Sequence, residues 1–431
     1  MHYSHLSKYV SPDPESRLVR GITWIIRELT ALVFIFSGFV KAIDPWGTLY
    51  KVEDYLAAMG LTIWPNLIVV GVFFLCGIEF FIGVCLATGC FRKGIAILSF
   101  AMMCFMLPLT LWIAVFDPVA DCGCFGDAYI ISNWATFWKN VLLFAFTLWL
   151  VKYNRYCACL ITPAIQWIAF IATALFICLI ELLGYVYQPL IDFRPYKTGT
   201  PLTEQTDTDQ PDFTFVYSKD GVEKEFSMDN LPNESEGWVF VDRKETASSS
   251  TNENESDKGF HIWEENEDVT DEVLSPDKDR ILLLMPDMGN VSISTTWKIN
   301  SLHDWAMQHD IDMVAAVAGS RGEIDNWIDL SMPDYPIYTA DDTAIKELAR
   351  GNPAVVYTHD GIVEWKSTLR AINTDDFMAN DTSADPMSFA RDNKRMLLNY
   401  SYIYISVMVL LIMISFIPAL KNSLLRWKSN C

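Results

Sequence analysis

Six long apolar stretches interrupt this chain, at about residues 22–42, 67–88, 94–116, 135–151, 161–183 and 400–419. Each approaches the ~20 residues that a helix needs to cross a hydrocarbon core, so each predicts a transmembrane helix. The pattern changes after the fifth stretch. Residues 184–210 are polar with Pro and Thr, and read as a linker. "PDFTFVYSKDGVEKEFSMDNL" predicts two short strands around a turn. Residues 243–279, rich in Ser, Asn, Glu and Asp, predict a disordered insert. "RILLLMP" and "IDMVAAVAG" read as buried strands, and "STTWKINSLHDWAMQHD", "EIDNWIDL" and "TAIKELAR" as helices. "PAVVYTHDGIVEWKST" reads as strand, turn, strand.

The predicted organisation is a four-helix membrane part at 1–155, a fifth transmembrane helix at 156–190 and a linker at 191–210. A small α/β domain follows at 211–375, then a linker at 376–397 and a sixth helix with its tail at 398–431. The fold class is thus an α-helical membrane protein carrying an α/β soluble domain.

Composition sharpens this division. Hydrophobic residues make up 51% of the chain, while a formal net charge of -21 comes from carboxylates crowded between residues 200 and 385. Such a split implies lipid as the solvent of one part and water as that of the other. The acidic soluble part would repel phosphate, which argues against a nucleic-acid partner. The first stretch starts late, holds Arg27 and Glu28 and ends without a small-residue cleavage site. It is therefore expected to stay as a span rather than be removed as a signal peptide.

Lys8, Arg17 and Arg20, then Arg92 and Lys93, then Lys152 and Arg155, then Lys421, Arg426 and Lys428 all fall on one side of a six-span arrangement. Positive segments mark the cytoplasm, and outnumber the opposing Arg391, Lys394 and Arg395. Both termini are expected in the cytoplasm. In a bacterial inner membrane, the loop "DCGCFGDA" and the soluble domain would then face the periplasm.

That loop holds the candidate chemistry. Cys122 and Cys124 would sit in an oxidising compartment, with Gly123 and Gly126 permitting a sharp turn. A disulfide between them would close a very small ring, strained and easily reduced. Two readings stand: a redox pair, or a brace for the loop. A metal site is disfavoured, because two thiolates supply half a zinc site and no His is near. Asp121 and Asp127 are expected to raise the thiol pKa values and slow attack.

Glu79 lies mid-span, where a carboxylate faces a bundle interior or a polar path. Arg27 and Glu28 lie near a span end, where snorkelling is cheap. A buried ionic cluster lining a path and a structural ion pair both remain open for these residues. Cys157 and Cys159 fall on the cytoplasmic side, where they read as inert or acylated. Trp112, Phe116, Phe125, Trp134 and Trp138 suit an interfacial belt, or the roof of a quinone pocket.

"SGFVKAIDP", containing Ser37, Gly38, Lys41, Asp44 and Pro45, is followed by Glu79 in "GIEFFIGVCLATG" and then by "CGCFGD". This succession, over about residues 17–155, resembles the DoxX/MauE superfamily of four-helix membrane proteins. It looks like the Bacteroidetes-type DoxX proteins that carry an extra C-terminal domain. The resemblance implies a link to periplasmic disulfide handling, or to membrane oxidoreductase complexes and a membrane quinone.

"PDFTF…DG…FSMDNL" and "GNPAVVYTHDGIV" resemble a thioredoxin-like domain of the TlpA/peroxiredoxin style over about residues 210–372. Asn352 and Pro353 fall at that family's cis-proline block, which implies a partner-binding role for them. The family's cysteines would lie in "MPDMGNVSIST", where this chain has none. Thiol exchange needs a thiolate, so the domain is expected to dock a partner rather than catalyse.

Two functions follow. Cys122 and Cys124 pass electrons between a periplasmic or membrane protein partner and a quinone, or the chain is a non-enzymatic assembly or scaffold subunit of an envelope complex. A transporter is disfavoured, because no inverted repeat with paired broken helices is visible.

Overall fold

The computed structural model describes residues 14–119, 121–157, 159–202, 260–373, 387 and 390–429, together with the backbone of strands at 213–219, 222–227 and 239–245. Six helices are long and apolar enough to cross a membrane. They are α1 (Pro14–Ile43), α3 (Pro65–Thr88), α4 (Arg92–Phe116), α5 (Asn133–Tyr153), α6 (Gln166–Val186) and α11 (Asn393–Ser429). The expected spans coincide with these helices, although α11 begins seven residues before the apolar run does. Helices α1 and α3 approach closely because glycine lies on both. A Cβ at Gly38 would stand 2.3 Å from the Phe80 backbone nitrogen, and one at Gly83 would stand 2.5 Å from that of Ile35.

A further helix, α2 (Pro45–Ala58), follows α1 after one residue. Its start is written in "DPW". Asp44 accepts from the Gly47 N–H at 3.0 Å as an N-cap, and Pro45 occupies the first turn, where its missing N–H costs nothing. This helix carries Thr48, Lys51 and Tyr55 across the mouth of the bundle toward the cysteine loop.

The soluble part contains a seven-stranded sheet in the order β10-β9-β6-β7-β8-β4-β5. Strands β6 (Arg280–Met285), β7 (Asp312–Val317) and β8 (Ile337–Ala340) are parallel, whereas β9 (Ala354–His359) runs antiparallel to β6, and β10 (Ile362–Thr368) antiparallel to β9. Strand β6 is buried along its whole length, as its unbroken run "RILLLM" requires of a strand covered on both faces. Helices α8 (Thr296–Gln308) and α9 (Arg321–Ser331) belong to the connections β6–β7 and β7–β8, and α10 (Asp342–Leu348) precedes β9. Ile299, Leu302, Trp305 and Trp327 fill one face of the sheet, and Phe260, Ile345 and Leu348 fill the other. Strands β1 (Phe213–Lys219), β2 (Val222–Ser227) and β3 (Val239–Glu245) form a separate antiparallel sheet in the order β2-β1-β3.

Three expectations need correction. The insert at 243–279 is not disordered at its ends. It begins within β3 and includes β4 (Ile262–Glu264), β5 (Glu267–Asp268) and the single turn α7 (Thr270–Val273), while residues 246–259 lie outside the described residues. These strands are short and lie at the sheet edge, so a polar composition suits them. The supposed linker at 191–210 is packed as far as residue 202. Tyr196 and Leu202 enter the core, and residues 199–202 pair with the start of β10 through Gly199 N to Val363 O at 2.7 Å and Val363 N to Thr200 O at 2.9 Å. Its remainder, like residues 376–386 of the second linker, lies outside the described residues. Strand β8, absent from the expected order, adds a third parallel member.

Candidate functional site: a dithiol loop over a buried ion pair

The loop 121–128 lies across the mouth of the helix bundle. Gly123 and Gly126 take φ values of 60° and 52°, the left-handed region that a side chain would oppose, and so fold the two cysteines back on each other. The sulfurs of Cys122 and Cys124 stand 3.1 Å apart as free thiols. Both carbonyls are anchored: Tyr55 OH donates to the Cys122 oxygen, and Ser37 Oγ lies 2.7 Å from the Cys124 oxygen. Ser37 also lies 2.8 Å from Glu79 Oε2, so its single proton serves one acceptor at a time.

Lys41 lies beneath, with Nζ 2.9 Å and 2.8 Å from the two Glu79 oxygens and 3.2 Å from Ser37 Oγ. Both charged side chains are 7% exposed. A buried pair of this kind persists because each charge has its partner and hydrogen bonds beside it. Lys41 and Glu79, singled out separately by sequence, thus come together directly under the dithiol.

The flanking carboxylates are neutralised. Asp121 accepts from Lys51 at 2.6 Å, and Asp127 pairs with Arg350 of the soluble part. The expectation that they raise the thiol pKa values does not hold for Cys124. The hydrogen bond it shares with the Cys122 thiol, aided by the nearby Lys139 and Lys41 charges, holds its pKa below the usual thiol range. Cys122 shifts the other way, pushed up by that same hydrogen bond and by burial. The opposite directions of the two shifts make Cys124 the more acidic thiol of the pair. Burial beside the thiols also pushes the Tyr55 phenol up, which keeps its proton available to the Cys122 carbonyl.

The thiols border a cavity of about 710 Å³ between α2, α3 and α4. Its polar end holds Lys41, Thr48, Lys51, Tyr55, Asp127 and the two cysteines, and the rest is lined by apolar side chains and glycines. Leu67, Phe74 and Phe105 line it and are also 63–68% exposed on the flank of the bundle, so the cavity opens sideways. Of the aromatics expected to roof a quinone pocket, Trp112 lines a hollow that adjoins the cavity and shares Met59, Phe105 and Leu109 with it, whereas Phe116, Trp134 and Trp138 are exposed and Phe125 packs edge-on against Phe36 with Lys139 4.2 Å above its ring.

The other sequence candidates do not touch the thiols. Arg27 and Glu28 pair with each other at 2.5 Å, in the half of α1 remote from the loop and near Cys157. Asp44 caps α2 and holds Arg350 at 2.8 Å. Asn352 and Pro353 line a second cavity of about 290 Å³ whose opposite wall is Trp46 and Tyr185 of the membrane part. Their peptide bond is cis. Sequence reading missed Lys51, Tyr55, Lys139 and Arg350. The first two follow "DP" at a helical i, i+4 spacing and were readable; nothing local marks Arg350.

The family model of methylamine utilisation protein MauE matches residues 19–153, which hold most of α1, all of α2 to α5 and every membrane-side residue of the dithiol site. The chain is a membrane protein whose first four spans are MauE-like. A domain of unknown function, DUF8463, matches residues 211–248. No curated protein matches the chain. The MauE-like part thus supplies the loop and its buried ion pair, while Arg350 reaches them from outside the matched region.

Proposed function

We propose that this MauE/DoxX-type protein is a thiol–disulfide redox component of a bacterial inner membrane, with Cys122 and Cys124 as its redox pair. The observation that carries the reading is the pair's position, two thiols 3.1 Å apart at the polar end of an apolar cavity that opens on the flank of the bundle. A folded client has no route through such a cavity, whereas a lipid-dissolved molecule does. Its size and apolar lining suit the ring and first isoprenoid unit of a membrane quinone. A quinone supplies two-electron, two-proton acceptance at its carbonyl oxygens. Lys51 spends one N–H on Asp121 and keeps two for such an oxygen.

The residues present account for the thiol side of the reaction. Cys124, as thiolate, and Cys122, as thiol, would give two electrons and one proton to the quinone, whose second proton would come from water at the loop, and an S–S bond of about 2.05 Å would replace the present contact. Ser37, Lys41 and Glu79 hold the loop from below and provide a buried proton-holding group next to it. Reduced thiols of a periplasmic or membrane protein partner would reach the half-buried loop from its aqueous side rather than through the cavity, and would restore the dithiol by exchange, becoming a disulfide themselves.

A thioredoxin-like reading of the soluble domain is supported by its order β10-β9-β6-β7, with β6 and β7 parallel and joined through a helix and a terminal antiparallel pair beside β6. The segment between β6 and α8 contains no cysteine, so this domain acts without thiol chemistry of its own. The test is quinone reduction by the purified full chain in lipid nanodiscs, using a short-chain quinone and dithiothreitol and following quinone absorbance. Cys122→Ser and Cys124→Ser should each remove the protein-dependent rate. Equal rates in the two variants and the parent would leave the scaffold reading.

A further inference from the structure

Arg350 lies in the connection between α10 and β9, yet its side chain is only 6% exposed, because it is embedded against the membrane part. Its guanidinium reaches Asp44 through Nε at 3.0 Å and Nη2 at 2.8 Å, Asp127 through Nη2 and the Lys346 carbonyl through Nη1 at 2.9 Å. It lies 5.5 Å from the centre of the Tyr50 ring. Its backbone is fixed too: Arg350 N donates to Gln188 Oε1 at 3.0 Å, and Gln188 Nε2 donates back to its carbonyl.

These contacts converge on the dithiol loop. Asp127 lies three residues after Cys124, in the short turn Gly126–Ala128. Asp44 is the N-cap of α2, and α2 carries the Lys51 and Tyr55 that hold Asp121 and the Cys122 carbonyl. One arginine therefore ties down the far end of the loop directly and its near end through the helix that grips it. The planar guanidinium fork spans both carboxylates, which an ammonium on a flexible stem does less well.

We propose that Arg350 is a positioning residue for the Cys122/Cys124 pair, making the soluble domain a clamp on the dithiol loop of its own chain. This inference rests on the thiol-redox reading for its purpose, but not for its test. Without the guanidinium, Asp44 and Asp127 face each other unneutralised in a site sheltered from water. The Asp127 end of the loop moves away or keeps its charge close to the thiols, and both outcomes disfavour the Cys124 thiolate.

The experiment compares the full-length parent with Arg350→Gln and Arg350→Lys in detergent micelles. Iodoacetamide labelling of Cys124 and Cys122 is read by mass spectrometry between pH 5 and 9. We expect Arg350→Gln to slow Cys124 labelling at pH 7 at least tenfold and to move its pH profile upward, with Arg350→Lys between it and the parent. A folded Arg350→Gln protein labelled within twofold of the parent overturns the proposal. If that variant fails to accumulate, Arg350→Lys decides: labelling slowed more than threefold supports the clamp, and labelling within twofold overturns it. Because no quinone enters the assay, a shifted profile alongside absent quinone turnover would retain the clamp and reject the redox reading.

Discussion

At the scale of single residues, the dithiol is unequal although its two cysteines are one residue apart. The two sulfurs share one contact at 3.1 Å in which either can donate, but the Lys139 and Lys41 charges lower the Cys124 pKa while burial raises that of Cys122. A thiol with a lowered pKa is a thiolate from that lowered value upward, so Cys124 should react well below the ordinary range near ~8.5. At pH 7, iodoacetamide should modify Cys124 at least tenfold faster than Cys122. Replacing Lys139 with Met should narrow that gap, and peptide mass spectrometry after timed quenching checks both. The ion pair beneath gives a second residue-scale expectation. Removing one partner of a buried pair costs about 3–5 kcal/mol, because the other charge is stranded. Lys41→Met and Glu79→Gln should each lower the thermal unfolding midpoint in detergent, and the combined Lys41→Met, Glu79→Gln protein should recover part of the loss. Additive losses in the double variant would mean that the two charges act independently. Both cysteines and Glu79 were legible in the sequence, because thiols and a mid-span charge are conspicuous in an apolar run, while Lys41, in the last turn of α1, was marked only by the "SGFVKAIDP" block. Their assembly into one site was not, since it depends on helices far apart in sequence meeting at Ser37.

At the scale of elements, the spans were legible because lipid admits only long, apolar, internally hydrogen-bonded helices. Helix α2 was not, at 14 residues with Lys51, Glu53 and Asp54 among them: neither length nor composition marks a span, and only the "DP" start announces it. The edge strands β4 and β5 were hidden for a similar reason, since short exposed strands need no apolar run. What sets the site's geometry is the close packing of α1 on α3, which carries Ser37 and Lys41 against Glu79. Ala at Gly38 has no room beside the Phe80 backbone, while Ala at Gly71 meets nothing within 4 Å. Gly38→Ala should therefore cost about 1–3 kcal/mol by overpacking and should slow Cys124 labelling, as the Ser37 contact shifts. Gly71→Ala should leave both unchanged, and matched unfolding and labelling measurements separate the two.

At the scale of the whole molecule, Arg350 fixes the loop and the soluble domain to the same end of the bundle, so one orientation experiment locates both. The basic residues at 92–93 and 152–155 lie at the opposite ends of the spans from that loop. They should remain in the cytoplasm, which sends Cys122, Cys124 and the α/β domain outward. The consequence is chemical as well as geometric: a dithiol kept in a reducing compartment has little disulfide to pass on, whereas one facing an oxidising compartment sits where exchange partners are found. Glu265 is exposed in the turn between β4 and β5, far in sequence from the native cysteines, and a cysteine there should fold without disturbance. In intact spheroplasts, a membrane-impermeant maleimide should label Glu265→Cys above the parent's own signal. Labelling that appears only after lysis would place the loop in the cytoplasm, and the cavity would then connect a lipid-soluble acceptor to cytoplasmic rather than periplasmic thiols.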